Sequence, residues 1–216
     1  MSSVLELLLA DSRTPSGGYA HSGGLEAAAE EGLAVSGVPA FVRARLRTVG
    51  RVEAAIGALA AGAATLEQLL ELDHEMAART PAEPLRRASR QLGLGLLRTA
   101  CSWWPDERLL AAYHVTSALT PRAVALGAIA RCGGLGPLAV ARLSLYDDAA
   151  TVAAAAVKLL PLDAARASGW LAELAEEIEE LAADAVAGGL PPGAATPLLD
   201  RRAMLHERRT RRLFVS

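Results

Sequence analysis

The stretch DAARASGWLAELAEEIEELAADAVAGG, residues 163–189, decides the fold class. Leu171, Leu174, Ile178, Leu181 and Ala185 recur at spacings of three and four, while Glu173, Glu176, Glu177, Glu180 and Asp184 occupy the other faces. That period puts the apolar side chains in one stripe along an α-helix and leaves the carboxylates to water. Asp163 is placed to cap the helix and Gly188-Gly189 to end it.

The same grammar extends outward in both directions. Ser3 to Ala10 reads as a short helix, and residues 11–24, DSRTPSGGYAHSGG, as a loop. Four glycines and one proline in fourteen residues leave no room for a regular element there. Helical composition returns at Leu25 to Leu33. A long helix follows from about Pro39 to Ala61. Thr65 with Gln68 predicts a capping box, and Pro81 and Pro84 open a helix to about Ser102. Pro105-Asp106 begins another through Leu119. Thr120-Pro121 reads as a cap followed by proline at the first helical position. Gly136-Pro137 starts a helix to Leu160, with an irregularity expected near Tyr146 to Asp148. Pro191-Pro192 turns the chain into a basic tail, residues 196–216. The expectation is an all-α, single-domain bundle, residues 1–216, of about nine or ten helices.

Composition narrows the function classes. Apolar residues make up 52% and aromatics 4%. The apolar share is mostly Ala and Leu, which suits helices packed closely on small side chains. With 22 basic and 24 acidic side chains, the chain lacks the bulk basicity of a nucleic-acid binder. Cys101 and Cys132 form no redox or metal motif, which fits a reducing cytoplasmic home. The start, Met1 to Ala10, lacks the leading positive charge of a signal peptide. No apolar run approaches the roughly 20 residues that cross a bilayer, so no membrane association is expected.

Candidate chemistry is sparse. His21, His74, His114 and His206 are dispersed, and no pair has helical metal-ligand spacing. Glu71, Asp73, His74 and Glu75 crowd one helix, but adjacent residues point apart, so a solvated face is the expectation. Ser12, Ser16 and Ser22 near His21 lack the strand and the Gly-x-Ser-x-Gly turn of a nucleophile elbow. No phosphate-binding motif occurs. Gly17-Gly18 and Gly23-Gly24 could form an anion nest, though a tight structural turn is the simpler role. No catalytic, cofactor or metal residue is assigned, and the chain is read as a protein binder, not an enzyme.

The tail is the oddest segment. Arg201, Arg202, Arg208, Arg209, Arg211 and Arg212 precede Leu213-Phe214-Val215. A basic run ending in an apolar plug fits acidic lipid, RNA or a partner protein. It equally fits docking on its own domain, where the acidic face from Glu173 to Asp184 offers a counter-charge.

Four ordered blocks resemble the urease accessory protein F family, UreF. They are Leu9 to Glu26, with Pro15, Gly17, Gly18, Tyr19, Ser22, Gly24 and Glu26; Glu71 to Asp73 with Arg87 to Gly93; Ala155 to Leu162; and His206 with Arg212, Leu213, Phe214, Val215 and Ser216. The chain departs from the family pattern at Pro121, Ala123 and Asp163. The resemblance implies an all-helical homodimer without catalytic chemistry or a stably bound cofactor. It implies partnership with UreD (also called UreH), recruitment of the GTPase UreG, and delivery of nickel to apo-urease. It also implies that the C-terminal segment helps secure the UreD contact and the dimer. The partner-binding residues carried over are Pro15, Gly17, Gly18, Tyr19, Ser22, Gly24, Glu26, His206, Arg212, Leu213, Phe214 and Ser216. The alternative is a helical protein-binding or basic-tail membrane- or RNA-binding module unrelated to urease.

Overall fold

A computed structural model describes residues 2–11, 13–15, 18–193, 196–207 and 213–214. Among them there is no strand. Twelve α-helical segments follow in order: α1 (Ser2–Ala10), α2 (Leu25–Glu30), α3 (Val38–Arg45), α4 (Arg51–Gly62), α5 (Leu66–Ala78), α6 (Glu83–Trp103), α7 (Arg108–Thr116), α8 (Arg122–Cys132), α9 (Pro137–Leu159), α10 (Ala164–Glu173), α11 (Ala175–Ala187) and α12 (Pro197–Glu207). α3 and α4 form one rod through a π-helical segment, Leu46–Gly50, in place of the uninterrupted helix expected there.

The centre is built on small residues. α4 buries Val52, Ala54, Ala55, Ile56, Gly57, Ala58, Ala60 and Ala61, and α8 buries every residue from Ala123 to Ala130. A helix apolar on all sides belongs inside a protein. α4 and α8 press together at two glycines. A Cβ on Gly127 would sit 2.4 Å from the Gly57 carbonyl oxygen and 2.5 Å from the Ala60 Cβ. α9 crosses the same centre and contributes to both apolar clusters, with Val140 and Leu143 in one and Leu145, Ala149 and Val152 in the other.

The capping box at α5 forms as expected: Thr65 Oγ1 accepts from the Gln68 amide, and Gln68 Oε1 accepts from the Thr65 amide. Other boundaries differ, each for a tertiary reason. α7 stops at Thr116, because Ser117 leaves the helix to donate to Asp73. Thr120 does not cap α8. It takes a left-handed conformation, φ 42°, and donates to the Ser117 carbonyl, while Ser89 Oγ accepts the first-turn amide of Arg122 at 3.0 Å. α9 runs through Tyr146 to Asp148 without irregularity. The single helix expected after Asp163 breaks at the buried Leu174 into α10 and α11, and Asp163 precedes it without a side-chain cap bond. The amphipathic pattern itself holds: Leu174, Ile178 and Ala185 are buried, and Glu173, Glu176, Glu180 and Asp184 are exposed.

Candidate functional site

The N-terminal loop is shaped by a few bonds. Thr14 Oγ1 donates to the Leu8 carbonyl at 2.5 Å, and Gly18–Ala20 forms one 3-10 turn. Gly23 and Gly24 have φ of 61° and 82°, a left-handed pair that costs glycine little. These two residues reverse the chain, so that α2 begins at Leu25 and aims Glu26 inward. The Glu26 amide donates to Ser22 Oγ at 3.3 Å. The glycine pair therefore serves as a structural turn.

Glu26 meets the other end of the chain. Its buried carboxylate accepts the amides of Leu213 at 2.6 Å and Phe214 at 3.0 Å. His206 Nε2, from α12, lies 3.4 Å from Glu26 Oε2 and 3.3 Å from the Phe214 carbonyl oxygen. Both neighbours are acceptors, which fits the tautomer with its hydrogen on Nε2. His206 Nδ1 is buried and has no hydrogen-bond partner among the described residues. The Phe214 ring is buried in the cluster that contains Leu25, Val38 and Val42. Lys158 Nζ stands 5.3 Å from that ring's centroid and donates to the Tyr19 carbonyl at 3.5 Å. Tyr19 and Leu213, each 74% exposed, border this seam.

Amide bonds to a carboxylate contribute about 1.5–3 kcal/mol each, and a buried Phe about 3 kcal/mol at most. The described tail therefore docks on its own domain, and it meets Glu26 instead of the acidic face from Glu173 to Asp184. α12 is pinned beside it by Arg202 to Glu31 at 2.8 Å and by an Arg87–Glu207 pair. Between α2, α6 and α12 lies a cavity of about 160 Å³, lined in part by Ser22, Gly23, Ala27 and His206.

Behind the loop sits a buried ionic network. Arg45 donates to Asp148 at 2.5 and 3.2 Å and to the Gly23 carbonyl at 2.8 Å. Arg122 reaches Glu53 at 3.2 Å and pairs with Asp147. Burial holds the Glu53 carboxyl above the usual range even against the attraction of Arg122. Burial, then the charge of Arg122, holds His21 below its ordinary value. A second cavity, about 130 Å³, lies among these groups and shares Gly23, Gly24 and Arg45 with the first.

Of the residues carried over from sequence, Glu26, His206, Leu213 and Phe214 converge, and Ser22 and Gly24 build the turn that aims Glu26. Gly18 and Tyr19 lie at its edge. Pro15 stands apart, exposed, with its carbonyl taking a bond from Thr99 at 3.3 Å. Gly17, Arg212 and Ser216 lie outside the described residues, as do Ser12, Ser16 and the arginines at 208, 209 and 211. Asp73 corrects the expected solvated face. It is buried and accepts from Tyr113 at 2.6 Å and Ser117 at 2.5 Å, while Glu71 and His74 are exposed. Burial raises its carboxyl above the usual range. Among the described residues, no three His, Cys, Asp or Glu side chains are grouped to hold a metal. Burial pushes the Cys132 thiol up to about 11, which disfavours the nucleophilic thiolate. Arg45, Glu53, Arg122, Asp147 and Asp148 are not picked out as site residues by the sequence, and Lys158 figures there only as part of the 155–162 block. Their only signal is charge inside otherwise apolar helices.

Fold and seam together define an all-helical protein whose two chain ends are latched to each other by polar contacts. The UreF family model matches residues 35–175. The chain is 39% identical to the urease accessory protein UreF of Mycobacterium bovis (strain BCG / Pasteur 1173P2) and 38% identical to that of Mycobacterium tuberculosis (strain ATCC 25618 / H37Rv), each over the full length of both chains. It is 37% identical to the urease accessory protein UreF of Mycobacterium marinum (strain ATCC BAA-535 / M), over 97% of each. The chain belongs to the UreF family. Of the seam residues, Lys158 lies inside the stretch matched by the family model, while 18–26, His206, Leu213 and Phe214 lie outside it but inside the full-length alignments. No helix among the described residues is long and apolar enough to cross a membrane.

Proposed function

We propose that this chain is a non-catalytic urease maturation factor that acts in the cytoplasm. With UreD (UreH) it recruits the GTPase UreG and supports nickel insertion into apo-urease. It holds no stable nickel site of its own. The observation that carries this reading is the latched seam. Glu26, Lys158 and His206 order Leu213 and Phe214 on the domain, and Tyr19 and Leu213 remain exposed at its rim for a partner. An ordered apolar rim around a fixed aromatic anchor is the kind of surface on which binding energy concentrates.

A homodimer fits the opposite side of α1. Leu5 and Leu9 pack inward, yet Val4 and Leu7 are 70% and 72% exposed. A helix apolar on both sides needs cover on both. Lipid or RNA binding by the tail has less support, because Arg202 and Arg201 face Glu31 at 2.8 and 3.8 Å. Binding to anionic vesicles or RNA that falls steeply with salt would restore that reading.

The test is co-expression with UreD and UreG homologues followed by affinity purification. The expected result is one complex containing all three proteins. Failure to retain either partner when both are present overturns the assignment.

A further inference from the structure

The second sequence block has two parts on different helices, and the structure brings them to one cleft. Asp73 of α5 and Arg87, Ser89 and Arg90 of α6 line a cavity of about 300 Å³, which the loop before α8 borders with Leu119 and Pro121. We propose that this cleft is a phosphate-binding site, in which Arg86, Ser89 and Arg90 hold the phosphate group of a free ion or a small monoester.

Arg86 and Arg90 both line the cavity and stand one helical turn apart on α6. Each is fixed by backbone carbonyls, not by a carboxylate. Arg86 Nη1 donates to the Thr80 and Pro81 carbonyls, both at 2.7 Å, and Arg90 Nε donates to the Ala118 carbonyl at 2.8 Å. Neither has an ion-pair partner among the described residues. A neutral acceptor orients a guanidinium without cancelling its charge. Arg86 Nη2 and both terminal nitrogens of Arg90 therefore keep their N–H groups for a ligand. Ser89 Oγ accepts the Arg122 amide at 3.0 Å, which leaves its hydroxyl hydrogen to donate. Arg87 is already engaged, by Glu83 at 3.0 Å and by Glu207. Asp73 is the opposing charge in the cleft. Tyr113 and Ser117 occupy its two oxygens, and two uncommitted guanidiniums outweigh it.

The donors suit phosphate better than carboxylate. One guanidinium fork satisfies the two oxygens of a carboxylate, whereas two forks and a hydroxyl serve the oxygens of a tetrahedral anion. Met76, Leu119 and Pro121 add an apolar wall to the same cavity, which suits the carbon group of a monoester. This inference needs no urease protein and stands apart from the maturation role.

Titration tests it. Sodium phosphate, phenyl phosphate and benzoate are added separately to the isotope-labelled full-length chain at constant ionic strength, and amide and arginine Nε–H resonances are followed. Both phosphates should give saturable shifts centred on Arg86, Ser89, Arg90 and residues 117–122, with midpoints on the order of 1 mM. A lower midpoint for phenyl phosphate supports a monoester as the ligand; equal midpoints support the free ion. Arg90→Gln should weaken either probe at least about tenfold with circular dichroism unchanged. Undiminished binding by the folded variant overturns the proposal. Should Arg90→Gln misfold, the unaltered chain decides. Shifts absent at about 10 mM of both phosphates, shifts spread evenly over the chain's other arginines, or a midpoint for benzoate equal to that for phenyl phosphate overturn it.

Discussion

The α4–α8 contact and the Glu26–Phe214 seam hold the molecule by opposite means. The first uses shape alone: glycine and alanine faces approach so closely that one methyl group finds no room. The second uses a few directed polar bonds around one ring, with empty volume beside them. Close packing distributes stability over many residues, so its loss is global. A directed latch concentrates it in a few groups, so it can open while the rest stays folded. That difference separates an interior that carries folding from a seam that can open by itself, as the proposed partner role requires.

The largest effect is expected from Gly127→Val. The added carbons collide with the Gly57 carbonyl and Ala60, and the helices must separate. A loss of about 3 kcal/mol or more, or roughly 6–12 °C in the melting midpoint, should appear in thermal denaturation. Asp73→Ala comes next. It leaves the Tyr113 and Ser117 hydroxyls without their acceptor, at about 2–3 kcal/mol in urea unfolding. Glu26→Gln removes the charge from two amide bonds at a cost of about 1–2 kcal/mol, confined to the seam. Hydrogen exchange at Leu213 and Phe214 should quicken while the melting midpoint moves little.

The smallest effect concerns pH. Burial, then the charge of Arg122, lowers the His21 pKa in the folded chain. The unfolded chain therefore takes up a proton more readily once the pH falls below about 6.5. The contribution of neutral His21 is complete above that value and is lost as pH falls further. His21→Gln should flatten the stability profile below about pH 6.5 in chemical unfolding measured across pH.

The helical class is legible in residues such as Leu171, Leu174, Ile178 and Ala185, because helical period is local. The Thr65–Gln68 cap is legible for the same reason. The seam is legible in part. Glu26, His206, Leu213 and Phe214 can be picked out by resemblance, but their meeting depends on contacts across more than 180 residues. Lys158 leaves no local trace of its place over Phe214. Thr120 looks like a helix cap and is not one, because Ser89 on α6 takes the amide that a cap would serve. The break at Leu174 and the Arg45–Glu53–Arg122 network are likewise tertiary outcomes.

The most direct measurement is capture of a UreD homologue by the Phe214→Ala chain, read beside its far-ultraviolet circular dichroism and melting curve. The expected result is loss of UreD capture of at least about tenfold, with helicity and melting midpoint close to those of the unaltered chain. Undiminished capture, or unfolding of the domain itself, would contradict the separation of a folding interior from a partner-binding seam.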